Sequence, residues 1–494
     1  MSKKLLAAAV VVAISGSVNA GDYFTPLTEP NLNSDTSSYN NNPFALPGNY
    51  SQEFVASRSS LETEMGGAFP DTFGNWDMLD FGGDNAQYIY IPHEVGDGAG
   101  VTRLNRDVAG LEPTILLEGI PGSDFDLDPT DGWDHTNDNF GGLDPAFITP
   151  AGTLLTAEEW AGGGRIFELM NPETATSPAD ANWRWLSSIP SVSHEGIQFD
   201  KNDNLYFVDE NSSGSIYKFV PKMGNDLSVG QTFVLVVGAG GVEGATGAAT
   251  WIAMTDENGT ALTTTNPFDY TSRGGRAAAD ELKGTGYCRP EDMSINTLAS
   301  GNEALYVPAT CANVVYSVEL IDDTNAMVRE FVNSSVTPDN IGNNPVGSGN
   351  PSDSTYGLDD PDNAAADAAG NIFLIEDENP GDIFMATDAD KDGVAESVSL
   401  FASLGKYGSE PTGFRVDPLD PFTWYVNIQH PSGQGNNDSL WIIKHDVTET
   451  CNCQTAKNHG NYVSCVAKAS KVLGIKGMIK DNLMEVAANA SCGK

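Results

Sequence analysis

The chain has 494 residues, of which 40% are apolar, and carries 68 acidic against 25 basic side chains, for a formal net charge of −43. That length and apolar content allow one large domain or two ordinary ones. So negative a chain repels phosphate backbones and anionic lipid, which excludes nucleic acid and membrane surfaces as partners, while it suits calcium binding or solubility at high ionic strength.

Residues 1–20 open with Lys3 and Lys4, continue in an apolar run from Leu5 to Ile14, and end in the small-residue sequence Val18-Asn19-Ala20. This is the pattern of a secretory signal peptide, with an apolar run too short to span a bilayer, so the chain is expected to be periplasmic or extracellular. Residues 21–80 are rich in Asn, Ser, Pro and Gly and read as an extended N-terminal arm. Regular structure begins with Gln87 to Ile91, ends that strand at His93-Glu94, and returns over Gly100 to Leu104. Residues 121–145 form an acidic, turn-rich loop carrying Asp124, Asp126, Asp128, Asp131, Asp134 and Asp138. Thr149 to Trp160 reads as a strand ending in the paired acids Glu158 and Glu159, and Gly164 to Leu169 as the next strand.

From residue 194 a phrase repeats. Glu195 opens the strand Ile197–Phe199, the turn at 200–204 follows, the strand Leu205–Val208 ends in Asp209 and Glu210, and Ser215–Phe219 closes the unit. Arg289-Pro290-Glu291 opens a second copy with strands at 304–307 and 314–318. Pro361-Asp362-Asn363 opens a third, with a strand at 372–375 that ends in Glu376 and Asp377 and another at 382–385, and Glu410-Pro411-Thr412-Gly413 a fourth, with strands at 424–428 and 439–443. One meander cannot bury both faces of its sheet, but meanders repeated radially can. The fold class is therefore all-β, a β-propeller of about six blades over 81–450 with insertions, of which 334–357 is one. Glu195, Glu291, Asp362 and Glu410 occupy the same place in each copy and would meet near the central channel, where only a cation or a shared proton lets them coexist. Their alternative reading is turn-capping between blades, and Arg289 has the alternative of pairing with Glu291.

Six cysteines, an even number, suit disulfides in an exported chain. Cys288 and Cys311 flank one hairpin and are placed to pair across it. From 451 the chain changes to two helices, Tyr462–Leu473 and Met478–Ala490, forming a small disulfide-bonded tail over 451–494 in which Cys465 and Cys492 are placed to clip the helices together. Asp388-Ala-Asp390-Lys-Asp392-Gly393, with Glu396 at the ninth position, matches the start of a calcium loop. Ser399 stands where the bidentate Glu of that loop belongs, so a secondary, stiffening calcium site and a plain polar turn both remain open.

The ordered set His93-Glu94, Thr156-Ala-Glu-Glu159, His194-Glu-Gly196, Arg289-Pro-Glu291, Pro361-Asp-Asn363, Glu410-Pro-Thr-Gly413 and Gln429-His-Pro431 resembles the PhoX-type alkaline phosphatases over about 85–445. The resemblance implies a secreted β-propeller phosphomonoesterase acting on small phosphate esters with calcium and iron. It implies Glu159, Glu195, Glu291, Asp362 and Glu410 as metal ligands and Arg289 as the phosphate-contacting arginine. The family bridges its iron pair with a cysteine thiolate from the first half of the chain. Here the Thr-x-Glu-Glu segment carries Ala157, and no cysteine precedes Cys288. A calcium-only site thus stays open beside the bridged di-iron centre, as do a non-catalytic calcium-binding propeller with a surface or matrix partner and a calcium-dependent hydrolase of other esters or lactones.

Overall fold

The computed structural model describes residues 24–488, with breaks at 29, 32–41, 71–72, 97, 121–137, 161–162, 270, 334–357, 368–369, 378–380, 405–408, 430–436, 446–450, 452–455, 473–479, 481–483 and 485–486. The segment 1–20, the acids between 124 and 134, the insertion at 334–357, His430-Pro431, and most of the second tail helix lie outside the described residues. No helix among the described residues is long and apolar enough to cross a membrane.

The strands are arranged as a propeller, and they form five hydrogen-bonded sheets among the described residues. One four-stranded sheet runs from Asp80–Gly82 to Thr114–Glu118, and a second from Phe147–Ile148 to Trp183–Trp185. The nine-stranded sheet contains two four-stranded meanders, Ile197–Phe199 to Asp226–Val237 and Ser294–Thr297 to Asn325–Val332. They are fused because the extra strand Gly247–Ala253 pairs with Asn325–Val332. The meander from Pro361–Ala366 to Ser397–Leu404 is lengthened by Phe44–Ala45, and that from Glu410–Asp417 to Ser439–His445 by Tyr50–Ser57.

The first five repeats thus have four strands where the sequence phrase suggests three, because the fourth strand is set off from the phrase by a loop of variable length, while the last repeat has three of its own and takes its fourth from Tyr50–Ser57. The stretch read as an extended arm contributes two strands and the short helix Arg58–Glu64, which begins with a Ser57–Ser60 capping box. The predicted strand over Thr149 to Trp160 is instead a hairpin of Phe147–Ile148 and Leu154–Ala157, turned at Gly152 with φ +78°. Two further helices are Gly274–Glu281 and His459–Val472.

The core lies between neighbouring sheets. Leu155 and Ile166 of the second meander pack on Ile197, Phe207 and Val234 of the third. Phe373 and Phe401 pack on Trp424 and Trp441 of the last meander. Each fully buried aromatic or branched side chain contributes about 1.5–3 kcal/mol by leaving water.

Cys288 and Cys311 form a disulfide, with Cα atoms 5.4 Å apart. Cys465 bonds Cys451 rather than the expected Cys492, because Cys451 lies under the same face of the tail helix as Tyr462 and Val466. Cys453 and Cys492 lie outside the described residues.

Candidate metal and phosphate site

The repeat places acids by two rules. The first concerns the cavity-edge strand of each meander. Asp77, Asp144, Glu195 and Glu291 stand two or three residues before it, and Glu410 and Asp362 are its first and second residues. The second concerns the end of the following strand, which runs antiparallel and so finishes beside that start. There Glu94, Glu159, Glu210 and Asp377 stand one or two residues past the strand, and Gln429 ends its own.

One backbone hydrogen bond fixes this second position in the first five copies, made to the residue two before the edge-strand acid. Glu94 N donates to Asn75 O (2.9 Å), Glu159 N to Gly142 O (2.7 Å), Glu210 N to Ser193 O (2.8 Å) and Asp377 N to Asp360 O (3.1 Å). In the fourth meander Thr310 N donates to Arg289 O (3.1 Å), so Arg289 takes the place held elsewhere by Asn, Gly, Ser and Asp, and Thr310 the place of an acid.

Two glycines let the copies approach. A Cβ on Gly196 would stand 2.7 Å from the carbonyl oxygen of Glu291 on the next meander, and one on Gly413 would stand 2.7 Å from that of Asp77. Gly413 also has φ +59°, which glycine adopts at no steric cost.

The result is a polar cavity of about 280 Å³ lined by nine carboxylates with Arg289 and Gln429. All five carboxylates expected from sequence, Glu159, Glu195, Glu291, Asp362 and Glu410, line it together with Arg289. Asp77, Glu94, Asp144 and Asp377 line it as well and were not assigned. Glu94 and Asp377 are visible in the sequence as strand-end acids, and the sequence carries no comparable signal for Asp77 and Asp144. Glu158 goes elsewhere: it forms a buried ion pair with Arg165, Nε to Oε2 2.6 Å.

Oxygens of Glu195, Glu291 and Asp362 lie within 4.8 Å of one another. Oε2 of Glu195 and Oε2 of Glu291 are buried with no hydrogen-bond partner, and so is Oδ1 of Asp144. Such groups are costly to bury unless something neutralises them. On the opposite wall, Thr412 Oγ1 donates to Asp77 Oδ1 (2.5 Å), and Gln429 Nε2 donates to Asp77 Oδ2 (2.8 Å) and Glu94 Oε2 (3.1 Å). Burial first, then mutual repulsion, holds Asp144, Glu159, Glu195, Asp362 and Glu410 well above the usual carboxylate range. Burial and then Asp77 push Glu94 up to about 8. Burial raises Asp77 to about 6, against hydrogen bonds from Thr412 and Gln429.

Arg289 stands at the mouth, its side chain 40% exposed. Its Nε donates to Glu210 Oε1 at 2.5 Å and lies 3.2 Å from Glu291 Oε1. Its backbone has φ +50°, a left-handed conformation that a side chain such as arginine rarely adopts. Asn75, Gly142 and Asp360 share that conformation at the equivalent position.

His93 and His194 are structural. His93 stacks on Phe73 with Nε2 2.8 Å from Thr102 Oγ1, and His194 packs by Phe207; burial lowers both to about 3.

Asp388, Asp390 and Asp392 also bring oxygens within 4.8 Å of one another, in the loop between Gly381–Thr387 and Ser397–Leu404, and do not line the cavity. Asp388 accepts from the N–H groups of Asp392 (3.0 Å) and Gly393 (2.8 Å), and Glu396 from that of Ala389 (2.6 Å).

A sequence profile described as alkaline phosphatase PhoX matches residues 148–432, more than half the chain. No curated protein sequence matches the chain. Among solved structures, Pseudomonas fluorescens PhoX in complex with vanadate, a transition state analogue, shares the fold at a TM-score of 0.60 and 16% identity, covering 86% of this chain and 98% of that one. A gluconolactonase of Xanthomonas campestris aligns at a TM-score of 0.41 and 12% identity, covering 87% and 98%. The profile match, together with this cavity at the convergence of its repeats, establishes that the chain belongs to the PhoX family of alkaline phosphatases.

Proposed function

We propose that this protein is a secreted, metal-dependent phosphomonoesterase that hydrolyses small phosphate esters in the cavity. The observation that carries the reading is a buried set of carboxylates with Arg289 at its mouth. Glu195, Glu291 and Asp362, with Glu159 and Glu410, are the ligands in this reading. Their oxygens are hard donors, and the two unpartnered ones at Glu195 and Glu291 need a cation. Calcium fits that donor set. A thiolate-bridged iron pair does not, because the four cysteines among the described residues are all in disulfides and Ala157 is packed in the core between two meanders.

Bound cations supply positive charge that polarises the ester and offsets charge developing on the phosphoryl oxygens. Arg289 holds the phosphoryl group. Its Nε is occupied by Glu210, which leaves the terminal nitrogens for two oxygens of the substrate. Gln429 and Thr412 orient Asp77 and keep that wall fixed while the ester binds. Asp388, Asp390, Asp392 and Glu396 make a secondary calcium loop in this reading, one that stiffens a turn and takes no part in turnover. The segment 1–20 directs export, and the Cys288–Cys311 disulfide fits an oxidising compartment.

Turnover of p-nitrophenyl phosphate by the protein with calcium, with and without iron, tests the proposal. Elemental analysis of the purified protein accompanies it, with calcium and no iron expected. Absence of turnover under every metal condition would remove the enzyme. A second reading, a calcium-binding propeller without catalysis, is favoured by the missing thiolate, and calcium bound without any turnover would select it.

A further inference from the structure

We propose that Glu210 is a positioning residue that aims the Arg289 guanidinium at the phosphoryl group. The inference rests on the phosphate-binding role assigned to Arg289 above.

The repeat itself singles Glu210 out. Glu94, Glu159 and Asp377 occupy the equivalent position, held by the same backbone hydrogen bond, and all three line the cavity. Glu210 alone of the four does not line it. Its carboxylate turns to the next meander and accepts from Arg289 Nε at 2.5 Å. Neither terminal nitrogen of Arg289 donates a hydrogen bond to a described residue. The guanidinium is therefore held by one corner, with its two-pronged edge open, the geometry a planar fork needs to take two oxygens of one phosphoryl group.

Both partners are fixed by their backbones. Asp209, next to Glu210, is fully buried and gripped by Arg276 through two bonds of 2.6 Å, and its Oδ1 accepts from Ser193 N (3.1 Å). Arg289 N donates to Asn211 O at 2.7 Å, and Gly214 and Tyr287 pair in an isolated bridge, so the segment bearing Glu210 is laced to the one bearing Arg289. Arg289 is further fixed between Cys288, tied to Cys311, and Pro290, in a left-handed backbone conformation that costs free energy. A site that only needed positive charge would not require an arginine so constrained. One that must present two nitrogens along a set direction would.

The test is a double-mutant cycle in the full-length calcium-loaded protein. It is read by inhibition of p-nitrophenyl phosphate turnover with inorganic phosphate and, separately, by calorimetric titration of inorganic phosphate. Glu210→Ala should weaken phosphate binding about 10- to 100-fold. Glu210→Gln keeps an oxygen for Nε and should recover part of that loss. Once Arg289→Ala is present, Glu210→Ala should cost nothing more. If Glu210→Ala does not fold by thermal melting, the Glu210→Gln arm decides alone, with a smaller shift that disappears in the Arg289→Ala background. Equal losses with and without Arg289 would mean a general structural role and overturn the inference, as would phosphate binding unchanged in Glu210→Ala. Should the wild type bind phosphate with the expected cycle yet hydrolyse no ester, the phosphatase reading falls and the positioning role stands. Should it bind no phosphate, both fall.

Discussion

Glu195 and Glu291 stand just ahead of the edge strands of two different meanders; each has a buried carboxylate oxygen with no hydrogen-bond partner, and their carboxylates bring oxygens within 4.8 Å of each other and of Asp362. Without a cation the pair repels and shares a proton; with one it becomes a ligand set. Glu195→Gln gives the pair a donor in place of a charge. It should raise the stability of the metal-free protein by about 1–2 kcal/mol and remove most of the stabilisation calcium gives. Denaturant unfolding with chelator and with calcium checks both halves of this reversal.

The metal-free protein should lose stability as pH rises from about 4 to about 8. Burial and then Asp77 raise Glu94 from an ordinary 4.5 to about 8, and burial raises Asp77 to about 6. Each group binds its proton more tightly folded than unfolded. The stabilisation is therefore complete below the unfolded value and is lost as pH climbs through the folded one. Calcium should reverse the trend, so its effect on the melting temperature should be larger at pH 8 than at pH 5. Melting curves in chelator and in calcium at the two pH values measure it.

Arg289→Lys keeps the charge and loses the fork. It should lower kcat/KM for p-nitrophenyl phosphate about 100-fold with calcium affinity unchanged. Steady-state kinetics beside calcium titration separates this loss from damage to the cation site.

Removing the Cys288–Cys311 bridge by replacing both residues with Ser should cost about 3 kcal/mol of stability, the value for a closed loop of this size. The same change frees the backbone on one side of Arg289, so KM should rise more than kcat falls.

Asp390→Asn in the separate loop at 388–393 should reduce calcium stoichiometry or the calcium-induced rise in melting temperature, with turnover unchanged. Asp390 is exposed and does not line the cavity. Calorimetric titration of calcium into wild type and variant decides it.

Much of the site was legible because it repeats. Glu195, Glu291, Asp362 and Glu410 each open a repeat whose strands announce themselves by alternation and a polar turn, and their equivalence follows from that frame. Asp77 and Asp144 escaped because they fall in stretches that read as an extended arm and an acidic loop, so no repeat phrase frames the short strands they precede, Asp80–Gly82 and Phe147–Ile148. Glu94 and Asp377 were seen at strand ends, but their approach to the neighbouring edge strand depends on antiparallel pairing across the hairpin, which only three dimensions supply. Cys465 was matched to Cys492 from helix spacing alone, and the short segment that folds Cys451 beneath the helix left no periodic trace. The role of Glu210 was out of reach for a related reason, since what distinguishes it from Glu94, Glu159 and Asp377 is which neighbouring meander its side chain turns to.

The pairing of Tyr50–Ser57 with Ser439–His445 has a consequence for how this molecule comes into being. Asn49 meets His445 across 396 positions, and Thr412 of the final repeat holds Asp77 of the opening one. The last-made strands thus clasp the first-made, and contacts so distant form late. Until the circle shuts, the acids have no common wall to stand around. A chain stopped short of its final repeat would possess nearly every ligand and yet have nowhere to gather them.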